Sequence, residues 1–208
     1  MVGRSGPAVR SPESGEAYVE TAPVEASGLT WTDAGMCALW DPASFTGIVD
    51  YDTWDAAFGE DEQIEAHIRT GAFVPINIEA DGAFQVLVRV GESATLIERE
   101  ARYLVVTSKP YLFVSTGEAR VCGIERVGHP VEHDGFALEV PAGRWAVTVH
   151  MIDWAKEPGS RDQDGRPTPD ALPDFVVLLV PDSGGPYRTR VVTFDRESAR
   201  TSTEPDPT

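Results

Sequence analysis

The chain reads as a mainly β protein, an antiparallel β-sandwich or barrel-like domain with one or two short acidic helices. Three observations predict this. From residue 72 to residue 194 the apolar residues recur with period two or in short runs of four to eight, the signature of half-buried and fully buried strands. Turn signals separate these segments: Asp81-Gly82, Thr116-Gly117 and Pro141-Ala142-Gly143. Only residues 52–70 carry a sustained helical period.

Taken in order, residues 1–27 are rich in Gly, Pro, Ser, Glu and Ala without an apolar period. They read as a disordered arm. Order is expected to begin near Leu29. The run 36–40, Met-Cys-Ala-Leu-Trp, reads as an edge strand. Asp41-Pro42 suits a helix start, with Asp41 as N-cap and Pro42 at the first helical position. Helices are expected over 52–58 and 60–70. Trp54, Ala57, Phe58, Ile64 and Ile68 fall near one face, the acids fall mostly on the other, and Gly71 stops the run. Strands follow over 73–78 and 84–90, joined at Asp81-Gly82 as a hairpin. Residues 96–106 read as a further strand, and 111–115 with 119–126 as a hairpin around Thr116-Gly117. Residues 136–140 and 144–153 flank the Pro141-Ala142-Gly143 turn. Residues 155–173 form a charged, Pro-rich loop, 175–180 a buried strand and 187–194 the last strand. Roughly eight or nine of these segments are expected as strands, in one domain over 28–195, with 196–208 as a disordered tail.

Charge is distributed unevenly. The chain has a net charge of -17, and thirteen of its 34 acidic residues lie between Ser11 and Ile68, a stretch without Lys or Arg. Outside it 21 acids face 17 bases. So negative a chain repels nucleic acid and anionic membranes, and attracts a basic protein or a cation. A solubility role explains the same charge. Residues Asp50, Asp52, Asp55, Glu60, Asp61, Glu62 and Glu65, together with Asp41, are the candidate partner-binding acids. Trp40 and Trp54 flank them as candidate anchors. Residues 1–9 contain no apolar run and no stretch reaches the ~18 apolar residues of a membrane helix, so the cytoplasm is the expected compartment.

No motif completes a catalytic or metal site. His129 and His133, with Glu132 and Asp134, offer zinc donors at a spacing that matches no zinc motif. The run 50–55 starts like a calcium loop and fails at Trp54 and Ala56, and 162–165 fails at Arg166. His150 and Asp153, three apart on a strand, point to opposite faces. There is no Gly-X-Ser-X-Gly elbow, P-loop or dinucleotide fingerprint. Cys122 reads as a buried structural thiol, and with Cys37 it leaves one disulfide open. No cofactor or metal is expected, and the chain reads as non-enzymatic.

Four segments carry a family resemblance. They are Trp54-Asp55-Ala56-Ala57-Phe58-Gly59, the strand FQVLVRVG at 84–91, the Pro-led PYLFVSTGEARVCGIE at 110–125 and FALEVPAGRWAVTV at 136–149. Together they resemble the competence protein J family, the inhibitors of the DNA-entry nuclease, over residues 51–153. The long N-terminal arm and the 155–173 loop depart from that pattern. The resemblance implies a binding protein that engages a nuclease; an acidic immunity protein against a nuclease toxin has the same traits. A β-sandwich that binds a small ligand or a metal is the rival reading.

Overall fold

A computed structural model describes residues 23–130 and 134–194. Within them the chain forms ten strands and three short α-helices: β1 (Val24–Thr32), β2 (Met36–Trp40), α1 (Tyr51–Phe58), α2 (Asp61–Thr70), β3 (Phe73–Asn77), β4 (Gly82–Val90), α3 (Glu98–Arg102), β5 (Leu104–Thr107), β6 (Tyr111–Ser115), β7 (Glu118–Gly123), β8 (Gly135–Glu139), β9 (Gly143–Ile152) and β10 (Phe175–Pro181). They make two sheets packed as a sandwich. One has the order β1-β4-β10-β9-β5, with β6 also on β9; the other runs β3-β2-β7-β8. All pairings are antiparallel except β4 with β10. Between the sheets lie Val86, Val88, Phe113, Val147, Val149, Phe175 and Val177 from the first, with Leu39 and Val121 from the second, all buried.

The turns do something other than what their sequence suggests. Asp81-Gly82, Thr116-Gly117 and Pro141-Ala142-Gly143 each join strands of different sheets: β3 to β4, β6 to β7 and β8 to β9. None closes a hairpin. A tight turn fixes only the local reversal, and here the strands on either side find better partners across the sandwich. The strand β3 pairs with β2, and β4 pairs with β1.

Other expectations change for similar reasons. The strand β2 is central and wholly buried rather than an edge. The first strand starts at Val24, inside the stretch read as an arm, because the register Val24↔Val90 to Thr32↔Gly82 pairs its whole length with β4. Residues 1–22, 131–133 and 195–208, with the outer parts of the arm and the tail, lie outside the described residues.

The stretch read as one strand over 96–106 divides into α3 and β5. Glu100 accepts from the Ile97 backbone N–H (3.0 Å) and pairs with Arg89 of β4, which sets the helical turn. Strands β5 and β6 lie end to end along one edge of β9, interrupted at Ser108, whose Oγ accepts the Val149 N–H (2.9 Å). Residues 187–194 form no strand. They make isolated bridges from Arg188 to Tyr111 and from Thr193 to Asn77, so they span the gap between the sheets. The helices α1 and α2 cover the outer face of β2 and β3, where Phe58 meets Phe73 at 5.4 Å.

Candidate functional site

The acidic helices are built by explicit local chemistry. Asp50 caps α1: its Oδ1 accepts from Thr53 N (2.9 Å), and Thr53 Oγ1 accepts from Asp50 N (3.0 Å). This reciprocal pair satisfies two of the free N–H groups at the helix start. The hydrogen bonds from the Thr53 side chain and then its backbone hold the Asp50 carboxyl below its ordinary value. At α2 the Gln63 side chain accepts from Glu60 N (3.0 Å), and Gly71 ends the helix in the left-handed conformation, φ 80°.

Beneath the helices lies an aromatic floor. Phe45 packs edge-on to Trp40 (5.8 Å) and against Phe58 (5.4 Å), and His67 sits against both phenyl rings. Burial lowers the His67 pKa below its ordinary 6.5, while the Ala57 carbonyl at 3.2 Å acts the other way. Trp54 Nε1 donates to the Ile124 carbonyl (2.9 Å), tying α1 to the chain just past β7.

The opposite face is open and negative. Asp50, Asp52, Asp55, Glu60, Asp61 and Glu62 are exposed. Glu65 is half-buried and pairs with Arg69 at 3.6 Å, and Arg69 is the sole Lys or Arg of the two helices. Two of the predicted residues do not belong to this surface. Trp40 is 1% exposed and Asp41 fully buried. Trp40 stands on a central strand under the helices, where its Nε1 donates to Cys122 Sγ (3.1 Å) and Arg120 lies over its ring. Asp41 instead ties the 3-10 turn at 42–45 to the β6–β7 corner: it accepts from Ala43 N (2.9 Å) and Thr116 N (2.6 Å).

Tyr51 and Val49 escaped the sequence reading. They are 72% and 70% exposed, the most exposed large hydrophobic residues among those described. Tyr51 stacks on Trp54 with ring centres 6.2 Å apart. The signal was present: Tyr51, Trp54 and Phe58 follow the i, i+3, i+7 ridge of a helix, and Tyr51 heads it one turn beyond the floor that covers Phe58. An apolar spot ringed by Asp50, Asp52 and Asp55 has the composition of an interface centre with a charged rim.

The other clusters are structural. Among the described residues no three His, Cys, Asp or Glu side chains stand together as metal ligands. Asp162 Oδ1 accepts from Asp164 N and Arg166 N, closing its own turn. His150 is held between Thr107 Oγ1 (3.0 Å) and Thr148 Oγ1 (3.1 Å). Cys37 and Cys122 are both buried and unpaired. The register sets Ala38 opposite Cys122, so the two thiols point to opposite faces of their sheet. Burial pushes Cys122 up to about 12 and raises Cys37 as well, which leaves both as inert thiols. A groove of about 400 Å³ runs between the outer face of the first sheet and the 167–174 loop, lined by Leu29, Leu87, Trp154 and Leu172.

No family model matches the sequence, and no curated protein is significantly similar to it. Two solved structures resemble it. A protein described as crocagin biosynthetic gene J is 17% identical, covers 78% of this chain and 99% of its own, and superposes with a TM-score of 0.55. ComJ, inhibitor of the DNA degrading activity of NucA, from Bacillus subtilis, is 10% identical over 79% of this chain and 99% of its own, with a TM-score of 0.45. The first likeness shows the fold. The second is the family met in the sequence, and its resemblance is weak in both identity and superposition.

Proposed function

We propose that the chain is a non-enzymatic binding protein whose acidic helical face masks a basic protein partner. The observation that carries this reading is the surface of α1 and α2: six exposed carboxylates with Arg69 as the sole Lys or Arg, on the same two helices and their lead-in as the exposed Tyr51 and Val49. A helix covering a core needs its apolar face only. Carboxylates held on the solvent side by two capped helices keep a negative field in place at no cost to that packing. The half-buried Trp54 and the stacked Tyr51 supply what charge alone lacks, an anchor that loses water on contact.

Among cationic partners, a nuclease is the class that the resemblance to the competence protein J family implies. The same face repels nucleic acid, so it competes for the basic surface a nuclease turns toward its substrate. In this reading the chain works as an inhibitor or immunity protein.

The test separates field from contact. Asp55, Glu62 and Glu65 are replaced together by Lys, and association with a cationic nuclease captured from the host at low salt is timed. The triple variant should associate ~tenfold or more slowly at low salt, with the gap closing as salt screens the charges. Glu62 sits in the first turn of α2 and Glu65 loses its Arg69 partner, so a stability loss of roughly 1–2 kcal/mol accompanies the change. Association at the wild-type rate in low salt would reduce the acidic face to a solubility feature. Undiminished nuclease activity with the chain bound would leave a binding protein that is no inhibitor.

A further inference from the structure

The start of α1 carries an aromatic surface as well as charge. Tyr51 is 72% exposed and stacks one face of its ring on Trp54, with ring centres 6.2 Å apart, so the other face is in water. Trp54 is held in turn by its bond to the Ile124 carbonyl (2.9 Å), which gives the stack a fixed base. Asp55 stands four residues after Tyr51, next to it on the helix surface. Helical side chains lean toward the N-terminus, which brings the Asp55 carboxylate toward the Tyr51 ring. Neither Asp52 nor Asp55 makes an ion pair among the described residues. Asp50 differs, because its carboxylate caps the helix at Thr53.

A ring beside a carboxylate is two-thirds of an arrangement that the molecule completes elsewhere. Arg120 lies over the Trp40 ring, 5.5 Å from its centre, and its Nε donates to Glu118 Oε1 (2.7 Å). There one guanidinium takes a ring on its flat face and a carboxylate on its edge. At Tyr51 the ring and the carboxylate are present without the cation: Arg69, the sole Lys or Arg of the two helices, is paired with Glu65 (3.6 Å).

We propose that the partner presents an arginine to this ridge, with its guanidinium stacked on the open face of Tyr51 and its N–H groups on Asp55. Val49, 70% exposed just before the helix, adds apolar contact at the same end. The proposal rests on the reading of a basic partner and names the side chain that anchors it. Arginine fits where lysine does not, because a guanidinium is planar and weakly hydrated and can stack and fork at once, whereas an ammonium is compact and strongly hydrated. An uncharged anchor fits less well, since it would take water from Asp55 and return no hydrogen bond.

The experiment titrates the full chain at low salt with a hexa-arginine peptide and with a hexalysine peptide of the same charge, following the amide resonances of Tyr51 and Asp55. Hexa-arginine should bind ~threefold or more tightly than hexalysine, the scale of an exposed cation–π contact joined to a forked carboxylate pair. Tyr51→Phe should keep that preference. Tyr51→Leu, which keeps an apolar side chain and removes the π face, should bring both peptides to the hexalysine affinity. Asp61→Asn, on α2, should weaken the two peptides alike. Equal affinities in the wild type, or an arginine preference that survives Tyr51→Leu, would overturn the arginine anchor and leave the basic-partner reading standing. Failure of both peptides to bind would overturn the two together. The anchor is also overturned if the Tyr51 resonance of the free chain moves with protein concentration, which would seat a second copy there, or moves in an Arg4→Gln, Arg10→Gln variant, which would seat the chain's own arginines.

Discussion

Asp41 shows how a single buried carboxylate does several structural jobs. It caps the 3-10 turn at 42–45, and it reaches across to Thr116, accepting from its N–H (2.6 Å) and its hydroxyl (3.2 Å). Removing it takes the acceptor from the Ala43 and Thr116 donors and breaks the tie between the turn and the corner. Asp41→Ala should therefore cost about 1–3 kcal/mol in urea unfolding, the sum of a lost cap and the lost bonds to Thr116, with Asp41→Asn losing less because one acceptor remains. A cost for Asp41→Ala no greater than that of an exposed Asp52→Ala would show that the corner holds without it. Trp40 belongs to the same logic: its ring is packed by Phe45 and its N–H is used by Cys122, so nothing of it is left for a partner.

Among the elements, α3 has no amphipathic core face of its own and is held by one buried ion pair. Arg89 of β4 forks onto both oxygens of Glu100 (2.6 and 2.8 Å) and reaches Glu25 of β1 (2.6 Å). Glu100 is 1% exposed. The hydrogen bond to Glu100 raises the Arg89 pKa. Breaking it leaves a buried charge alone, whereas replacing both partners with apolar groups leaves none. Arg89→Met should destabilise by about 3–5 kcal/mol, and Arg89→Met with Glu100→Leu should recover most of that loss. Additive losses in denaturant titrations of Arg89→Met, Glu100→Leu and the double variant would mean that the two charges are not coupled.

Across the whole molecule, pH acts through two histidines, the half-buried His67 and the buried His150. Desolvation holds both below their ordinary 6.5, with Glu100 opposing it at His150. The unfolded chain then binds more protons than the folded one between the lowered folded values and 6.5, so stability rises with pH across that window. Their contribution is complete above about 6.5 and is lost as the pH falls through the folded values. The melting temperature should fall from pH 7 to pH 5.5, and the fall should shrink in His150→Gln, whose amide can still bond Thr107 and Thr148. An identical pH slope in the wild type and His150→Gln would remove His150 from this account.

Local chemistry was enough to predict much of this. The cap at Asp41, the stop at Gly71, the helical face of Phe58, Ile64 and Ile68, and most of the strands from β3 to β10 depend on a few neighbouring residues, and those are legible in one dimension. The solvent side of the acidic helices was legible for the same reason, since a helical period assigns faces before any partner is known. Pairing was not legible. A strand carries the same alternation whether its neighbour is the next strand or one a hundred residues away, so two turns read as hairpins, and the Pro141-Ala142-Gly143 turn with them, turned out to be corners between sheets. Nor did the residues beside them mark Trp40 as buried and Tyr51 as exposed. Each is an aromatic beside an aspartate, and only the packing of two helices over β2 buries one while leaving the other in water. What depends on nearest neighbours was written in the sequence, and what depends on which distant surfaces exclude water together was decided by the tertiary structure.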